Sequence, residues 1–206
     1  MIVLGLTGSI GMGKSTAAGM LRHMRVPVHD SDTTVHDLFA FDSALRTAVG
    51  SRFPGSLTAS GVDRQALGAA VFEDPLARGD LEALVHPRVR AAADAFVCRH
   101  RRQGTTLVVL DIPLLYETGG TDRVDAVVVV TAPGWLQRRR VLARPGMSKA
   151  KLEGILASQM SDREKRRRAD FIVETGAGRA YTFRRLKRII ISVCAAAQFG
   201  LPGADD

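Results

Sequence analysis

Apolar residues in this chain fall either in short unbroken runs or in longer stretches where they return every third or fourth position. The Val/Leu runs at 107–110 and 127–130 lack the alternation of a half-exposed strand, so they predict strands covered on both faces. With their flanks these become strands at 106–111 and 124–131, and three more are predicted at 2–6, 26–29 and 171–174. Elsewhere the period is helical. Ala17, Ala18, Met20, Leu21 and Met24 mark one apolar face, and Phe183, Leu186, Ile189, Ile190 and Val193 mark another, on a last helix from about Arg179 to Gln198. Strands alternating with helices predict a parallel sheet with helices on both sides, an α/β fold.

Two excursions interrupt that alternation. The stretch 32–103 is mostly helical in pattern, is broken by Pro54-Gly55-Ser56 and Ser60-Gly61, and is too long for a simple crossover. His86-Pro87 within it reads as the start of a helix, because proline is favoured in a first turn. The stretch 135–169 is helical and arginine-rich around the breaker Arg144-Pro145-Gly146, the composition of a lid. The expected organisation is therefore a core of 1–31, 104–134 and 170–200, a helical insertion at 32–103, a lid at 135–169 and a flexible tail at 201–206. No internal repeat is present.

The most specific chemistry lies directly after the first strand. Gly8-Ser9-Ile10-Gly11-Met12-Gly13-Lys14-Ser15 fits the phosphate-binding loop G-x-x-x-x-G-K-[ST], in the strand–loop–helix setting that such a loop requires. Glycines there let successive N–H groups converge on phosphate oxygens, and the following helix aims its positive end at the same anion. The pattern assigns Gly8, Gly11, Met12, Gly13, Lys14, Ser15 and Thr16 to a nucleoside triphosphate, with Lys14 on the β- and γ-phosphates and Ser15 on Mg²⁺. With this loop the fold class becomes a P-loop three-layer αβα arrangement: a five-stranded parallel sheet, a helical substrate-binding insertion and a helical lid.

Composition narrows the setting. A chain of 206 residues, 46% hydrophobic, can bury one good core plus an appended insertion. The loop lies close to Met1, leaving no room for a secretory signal, and the longest apolar stretch, around 189–197, is too short for a bilayer, so a cytoplasmic protein without a membrane partner is expected. Cys98 and Cys194 lack metal or redox spacing and read as buried small hydrophobes. The net charge of +8 suits a phosphate-rich small substrate as well as it suits nucleic acid. The densest charge run, Arg163 to Arg168, would spread around a helix as solvated surface, and no aromatic residues interleave with it to stack bases. No nucleic-acid partner is expected, and a monomer is favoured.

Two acidic sites and one basic site bear on the reaction. Asp30-Ser31-Asp32 follows the second strand, at the strand end where open parallel sheets bind ligands. Asp30 is open to N-capping the next helix, and Asp32 is the preferred functional carboxylate. Asp111 ends the buried strand beside the loop, where an acid can hold Mg²⁺ through its water shell, although a strand-ending turn before Pro113 accounts for it too. Arg140 and Arg144, four apart on a predicted helix, present two guanidinium groups from one face for phosphoryl oxygens.

Taken together, residues 5–16, Asp30-Ser31-Asp32, His86-Pro87-Arg88-Val89-Arg90, Asp111 through Glu117, and Gln159-Met160 through Ile172 form an ordered set that closely resembles the dephospho-coenzyme A kinase family over nearly the whole chain. The resemblance implies transfer of the ATP γ-phosphate, with Mg²⁺, to the ribose 3′-hydroxyl of dephospho-CoA. It implies Asp32 as general base, with Lys14, Arg140 and Arg144 neutralising the phosphoryl group in flight. It turns Thr7, Asp32, His86, Arg88, Tyr116 and Glu117 toward the acceptor, and Ser15 and Asp111 toward the metal. For His86-Pro87 a helix start is an equal reading, and for Tyr116 simple packing is the alternative.

The chain also departs from the pattern. Ser9 and Met12 occupy variable loop positions where relatives often carry glycine and serine, and Glu174-Thr175-Gly176 replaces an Asn-containing turn near the adenine. A kinase for another small acceptor would share the core and lid. A GTPase-type switch is disfavoured, since no [NT]-K-x-D or D-x-x-G motif follows the strands.

Overall fold

A computed structural model describes residues 1–58, 61–72 and 74–199, with Phe72 and 197–199 described in backbone only. The tail expected at 201–206 lies outside the described residues. The chain divides into two compact units, one of residues 1–29 with 99–206 and one of residues 30–98.

The first unit is built on the expected sheet. Strands β1 (Ile2–Thr7), β2 (Val28–Asp30), β5 (Leu107–Asp111), β6 (Ala126–Thr131) and β7 (Phe171–Glu174) lie in the order β2-β5-β1-β6-β7. β1 sits at the centre, parallel to β5 (Leu4 opposite Val109) and to β6 (Leu6 opposite Val128), and β6 is parallel to β7. This is the five-stranded parallel sheet of the expected α/β class. Its two faces separate cleanly by side-chain parity. Leu4, Leu6, Val109, Val128 and Val130 pack under α1 (Lys14–His23) and α9 (Arg179–Phe199), through Ala17, Ala18, Leu21, Leu186, Ile189 and Val193. Val127 and Val129 point the other way, against Leu115, with Tyr116 and Val124 at the margin. A run of four valines satisfies two apolar layers at once, which is why it shows no alternation.

Three shorter helices complete this unit: α6 (Gly134–Leu142), α7 (Lys149–Ser158) and α8 (Asp162–Arg167). α6 stops at Leu142 with Ala143 as its cap, so Arg144 lies beyond the helix that was expected to carry it beside Arg140. Pro145 accounts for the stop, since the residue before a proline is pushed out of the helical region.

The second unit is helical. α2 (Ser31–Phe41), α3 (Ser43–Arg52), α4 (Arg64–Phe72) and most of α5 (Pro75–Arg102) enclose Phe39, Leu45, Val49, Phe53, Leu67, Ala77 and Val85. An aspartate opens each helix. Asp30, Asp42, Asp63 and Asp74 accept first-turn N–H groups from Thr33, Leu45, Ala66 and Ala77 at 2.9–3.1 Å. Capping is therefore the role the structure gives Asp30. A two-residue hairpin, β3 (Leu57–Thr58) with β4 (Gly61–Val62), fills the break where only turns were expected.

His86-Pro87 does not start a helix: α5 runs unbroken from Pro75 and carries Pro87 in its interior. The start is Asp74-Pro75, where a capping carboxylate precedes a first-turn proline. Pro87 has no N–H to give the Ala83 carbonyl one turn back; beside it, the Arg88 guanidinium donates to the Leu84 carbonyl at 2.8 Å and its Nε meets Asp42 at 3.2 Å. Apolar Leu81, Leu84, Val85 and Val89 keep both halves of the helix on the core.

Candidate functional site

The loop between β1 and α1 turns on Gly11 (φ 76°) and Gly13 (φ 91°), in the left-handed region that favours glycine. The glycines also answer to the protein around them. A Cβ at Gly8 would stand 2.6 Å from the Val130 carbonyl oxygen, one at Gly11 2.5 Å from Val141 Cγ2, and one at Gly13 2.9 Å from Thr175 Oγ1. The loop is thus pressed onto β6, α6 and the residue after β7, with only its open side left for a ligand.

Polar contacts hold it there. Glutamines hold the peptides on both sides of Ile10: its N–H donates to Gln159 Oε1 at 3.1 Å, and its carbonyl accepts from Gln137 Nε2 at 2.8 Å. The Thr175 hydroxyl donates to the Met12 carbonyl at 2.7 Å and accepts from Arg140 Nη1 at 2.9 Å. Arg140 also reaches the carbonyls of Thr175 (3.0 Å) and Gly11 (3.4 Å). Met12 is buried, and its sulfur accepts the Ala132 N–H. Gln137, Gln159 and Thr175 were not marked as site residues in the sequence, although Thr175 lies where the family pattern is broken.

The ligand side has the donor set of an anion site. Gly13 caps α1 without a side chain, so no side chain takes up the first-turn N–H groups, which point along the positive end of the helix. Lys14 Nζ lies 2.7 Å from Asp111 Oδ1, and the carboxylate is almost wholly buried at the end of β5. Ser15 and Thr16 are exposed beside it. Among the described residues no group of three or more His, Cys, Asp or Glu side chains could hold a metal alone. A Mg²⁺ held by Ser15 and Asp111 would thus draw its remaining ligands from phosphate oxygens and water, the coordination this ion favours. The residues present fit that arrangement.

Behind the loop, Thr7 is fully buried and donates to the Pro113 carbonyl at 3.0 Å. Glu117 Oε1 accepts from Lys165 Nζ at 2.8 Å and from the Met160 N–H at 2.9 Å. Lys165 has no exposed surface, so one residue of the run 163–168 forms a buried ion pair where solvated surface was expected. Its neighbours keep to that expectation: Arg163, Arg166, Arg167 and Arg168 are exposed, and a hydrogen bond from Arg168 holds the Glu164 carboxyl below the usual carboxylate range. The Tyr116 hydroxyl is enclosed without a hydrogen-bond partner, and burial first, then the charge of Asp170, pushes its phenol up to about 12 against an opposing effect of Arg168. Arg144 is exposed. Cys98 is exposed too and Cys194 partly so, against the expectation that both are buried.

The other marked residues belong to the second unit. Asp32 is exposed in the first turn of α2, His86 is part-buried on α5, and Arg88 is tied to Asp42 and Leu84.

A groove of about 820 Å³ opens from Ser15 and Thr16 and runs between α1 and α9, past Gly19, Met20 and His23 on one wall and Arg179, Ala180, Phe183 and Arg184 on the other. Edge contact of His23 with Phe183, ring centroids 6.1 Å apart, joins the two helices.

A central-strand loop of this geometry, on this sheet order, defines a P-loop nucleotide-binding protein. The Dephospho-CoA kinase family profile matches residues 2–180, and the chain belongs to that family. It is 60% identical over 178 residues to the dephospho-CoA kinase of Mesorhizobium japonicum, covering 86% of this chain and 89% of that one. Among solved structures it superposes on TT1252 from Thermus thermophilus with a TM-score of 0.82 at 35% identity, covering 93% of this chain and 97% of the other. The dephospho-CoA kinase from Campylobacter jejuni gives 0.71 at 25% identity, over 95% and 98% of the two chains.

Proposed function

We propose that the protein carries out its family's reaction by moving the γ-phosphate of ATP to the ribose 3′-hydroxyl of dephospho-CoA, yielding ADP and coenzyme A. The observation that carries this reading is the uncapped start of α1 with Lys14 and Asp111 paired beside it, in a chain matched by the family over most of its length. The loop N–H groups and Lys14 hold the β- and γ-phosphates. Ser15 and Asp111 would hold Mg²⁺, which would supply positive charge to offset that of the phosphate oxygens. Asp32 takes the proton of the attacking hydroxyl, and the oxygen displaces ADP in line without a covalent enzyme intermediate. Arg140 keeps positive charge at the loop while fastening it, and Arg144 brings a second charge from the segment after α6.

The division of labour follows the excursions: 1–31, 104–134 and 170–200 bind nucleotide, 32–103 with His86 and Arg88 binds the acceptor, and 135–169 acts as lid. The groove beyond Thr16 offers the nucleoside end of ATP a place to lie. The protein works as a cytoplasmic monomer without nucleic acid. Among the described residues no helix is long and apolar enough to cross a membrane.

The test is ATP consumption with dephospho-CoA, with a nucleoside, a nucleoside monophosphate, DNA or RNA in parallel arms. Coenzyme A formed only in the first arm supports the reading. Turnover with a nucleoside monophosphate alone, or hydrolysis stimulated by nucleic acid, overturns it.

A further inference from the structure

Lys165 is the largest side chain with essentially no exposure in the protein's described residues, and it is charged. Burying an ammonium is costly unless a partner compensates, and removing one partner from such a pair costs more than the pair itself contributes. The partner here is Glu117, and what Glu117 touches next points toward the nucleotide loop. Its Oε1 is shared between Lys165 Nζ at 2.8 Å and the Met160 N–H at 2.9 Å, while Oε2 is enclosed with no hydrogen-bond partner. Oε1 is thus committed to the protein interior, and Oε2 is enclosed beside it. The residue before Met160 is Gln159, the extended cap that ends α7 (φ −106°, ψ 149°), and its Oε1 receives the Ile10 N–H. A single peptide step therefore has one side chain on the nucleotide loop and the following N–H on a buried carboxylate.

We propose that Glu117 is a positioning residue of the nucleotide site: held by Lys165, it anchors the Met160 N–H and so fixes Gln159 against Ile10, which sets the backbone of the phosphate-binding loop. Ile10 is also held through its carbonyl by Gln137. With Gln159 displaced, the Ser9–Ile10 peptide loses its hold while Gln137 still grips the Ile10–Gly11 peptide, and the N–H groups that follow in the loop lose their common aim. The role differs from a contact with the acceptor, which the family resemblance suggests for Glu117. It rests on the reading of residues 8–15 as the ATP site.

The test is a double-mutant cycle on ATP binding, by calorimetric titration, with thermal melting as the control for folding. E117L/K165M removes the buried pair while keeping apolar volume, an exchange that buried ion pairs tolerate; Q159A removes the contact to the loop. Each is expected to weaken ATP binding by roughly 2- to 30-fold, the range of couplings carried by residues that touch no ligand. The triple variant should be no weaker than the weaker parent, since both act through one contact. Dephospho-CoA affinity should stay unchanged. ATP affinity at the wild-type level in E117L/K165M overturns the proposal, as does full multiplication of the two losses, or weakening confined to dephospho-CoA. If E117L/K165M does not fold, Q159A still decides: Ile10 amide exchange and ATP affinity both unaltered in it overturn the proposal. A wild-type protein that binds no ATP removes the site reading itself, an outcome distinct from each of these.

Discussion

Lys14 Nζ lies 2.7 Å from Asp111 Oδ1, with side-chain exposures of 14% and 2%, so the residue expected to reach phosphate and the one expected to serve the metal already form a pair. A cation that holds its carboxylate partner in this way stays close to the site where a triphosphate would compete for it. Lys14→Ala is expected to lower kcat/KM for ATP at least about a hundred-fold, roughly 2.7 kcal/mol of transition-state stabilisation, and to weaken ATP binding as well. Asp111→Asn should leave ATP binding closer to normal while raising the Mg²⁺ concentration needed for half-maximal rate. Titration of nucleotide beside a Mg²⁺ series separates the two variants, and equal Mg²⁺ dependence in wild type and Asp111→Asn would count against the metal role.

Asp32 stands exposed in the first turn of α2, two positions after the capping Asp30. Asp32→Asn keeps the shape and removes the proton acceptor. The expected result is an unchanged Kd for ATP and a kcat lower by roughly a hundred- to ten-thousand-fold, the usual contribution of a general base. Near-normal turnover would remove Asp32 from the reaction.

The parts legible in the sequence are those whose signals are local. The valine run at 127–130 signals a strand covered on both faces, and the glycines before Lys14 and Ser15 signal the strand–loop–helix turn, because these residues are contiguous. His86-Pro87 reads as a helix start, but the helix starts at Asp74-Pro75. Asp74-Pro75 joins a cap to a first-turn proline, while Pro87 sits inside α5, whose apolar face continues past it through Leu84, Val85 and Val89 onto the core. The burial of Lys165 was not legible, since nothing near it in sequence names Glu117 as its partner. The same holds for Gln159 on Ile10 and Thr175 on Met12, contacts that exist only once the chain has folded.

Thr175 is almost fully buried, and its hydroxyl bridges the Met12 carbonyl and the Arg140 guanidinium. Thr175→Val preserves shape, takes the hydroxyl donor from the Met12 carbonyl and leaves Arg140 only its carbonyl contacts to Thr175 and Gly11. A loss of about 1–3 kcal/mol is expected from denaturant unfolding, together with a raised KM for ATP, as the loop loses its hold on this side. Thr175→Ser should restore most of both. A valine variant with wild-type stability would mean that water replaces the hydroxyl at no cost.

Gly19 lies mid-helix in α1 on the wall of the groove, where an added Cβ would meet nothing within 4 Å. No packing neighbour demands glycine there, and glycine inside a helix costs about 1 kcal/mol relative to alanine. Gly19→Ala should therefore raise the melting temperature by about 2–4 °C. Gly19→Phe fills the groove without touching the core, and if the nucleoside lies there ATP affinity should fall about tenfold, near 1.4 kcal/mol, at an unaltered melting temperature. Full ATP affinity in the phenylalanine variant would place the nucleoside elsewhere.

Tyr116 carries an enclosed hydroxyl with no hydrogen-bond partner, and its phenol is pushed from 10.0 up to about 12, chiefly by burial. The sign of the consequence follows from proton counting. Between pH 10 and about 12 the unfolded chain has lost the phenolic proton and the folded one keeps it, so the unfolded state binds fewer protons and stability falls as pH rises through that window. Below pH 10 both states are protonated and Tyr116 adds no slope. Tyr116→Phe should flatten this part of the stability profile, after allowance for the other groups that titrate there, and should be neutral or mildly stabilising at pH 7, since it removes a buried polar atom that bonds to nothing. Kinetics then distinguish the two readings of the residue. A KM for dephospho-CoA raised several-fold with kcat intact means that the hydroxyl finds its partner on the acceptor, and an unchanged KM leaves Tyr116 as a packing residue against Leu115 and Val127.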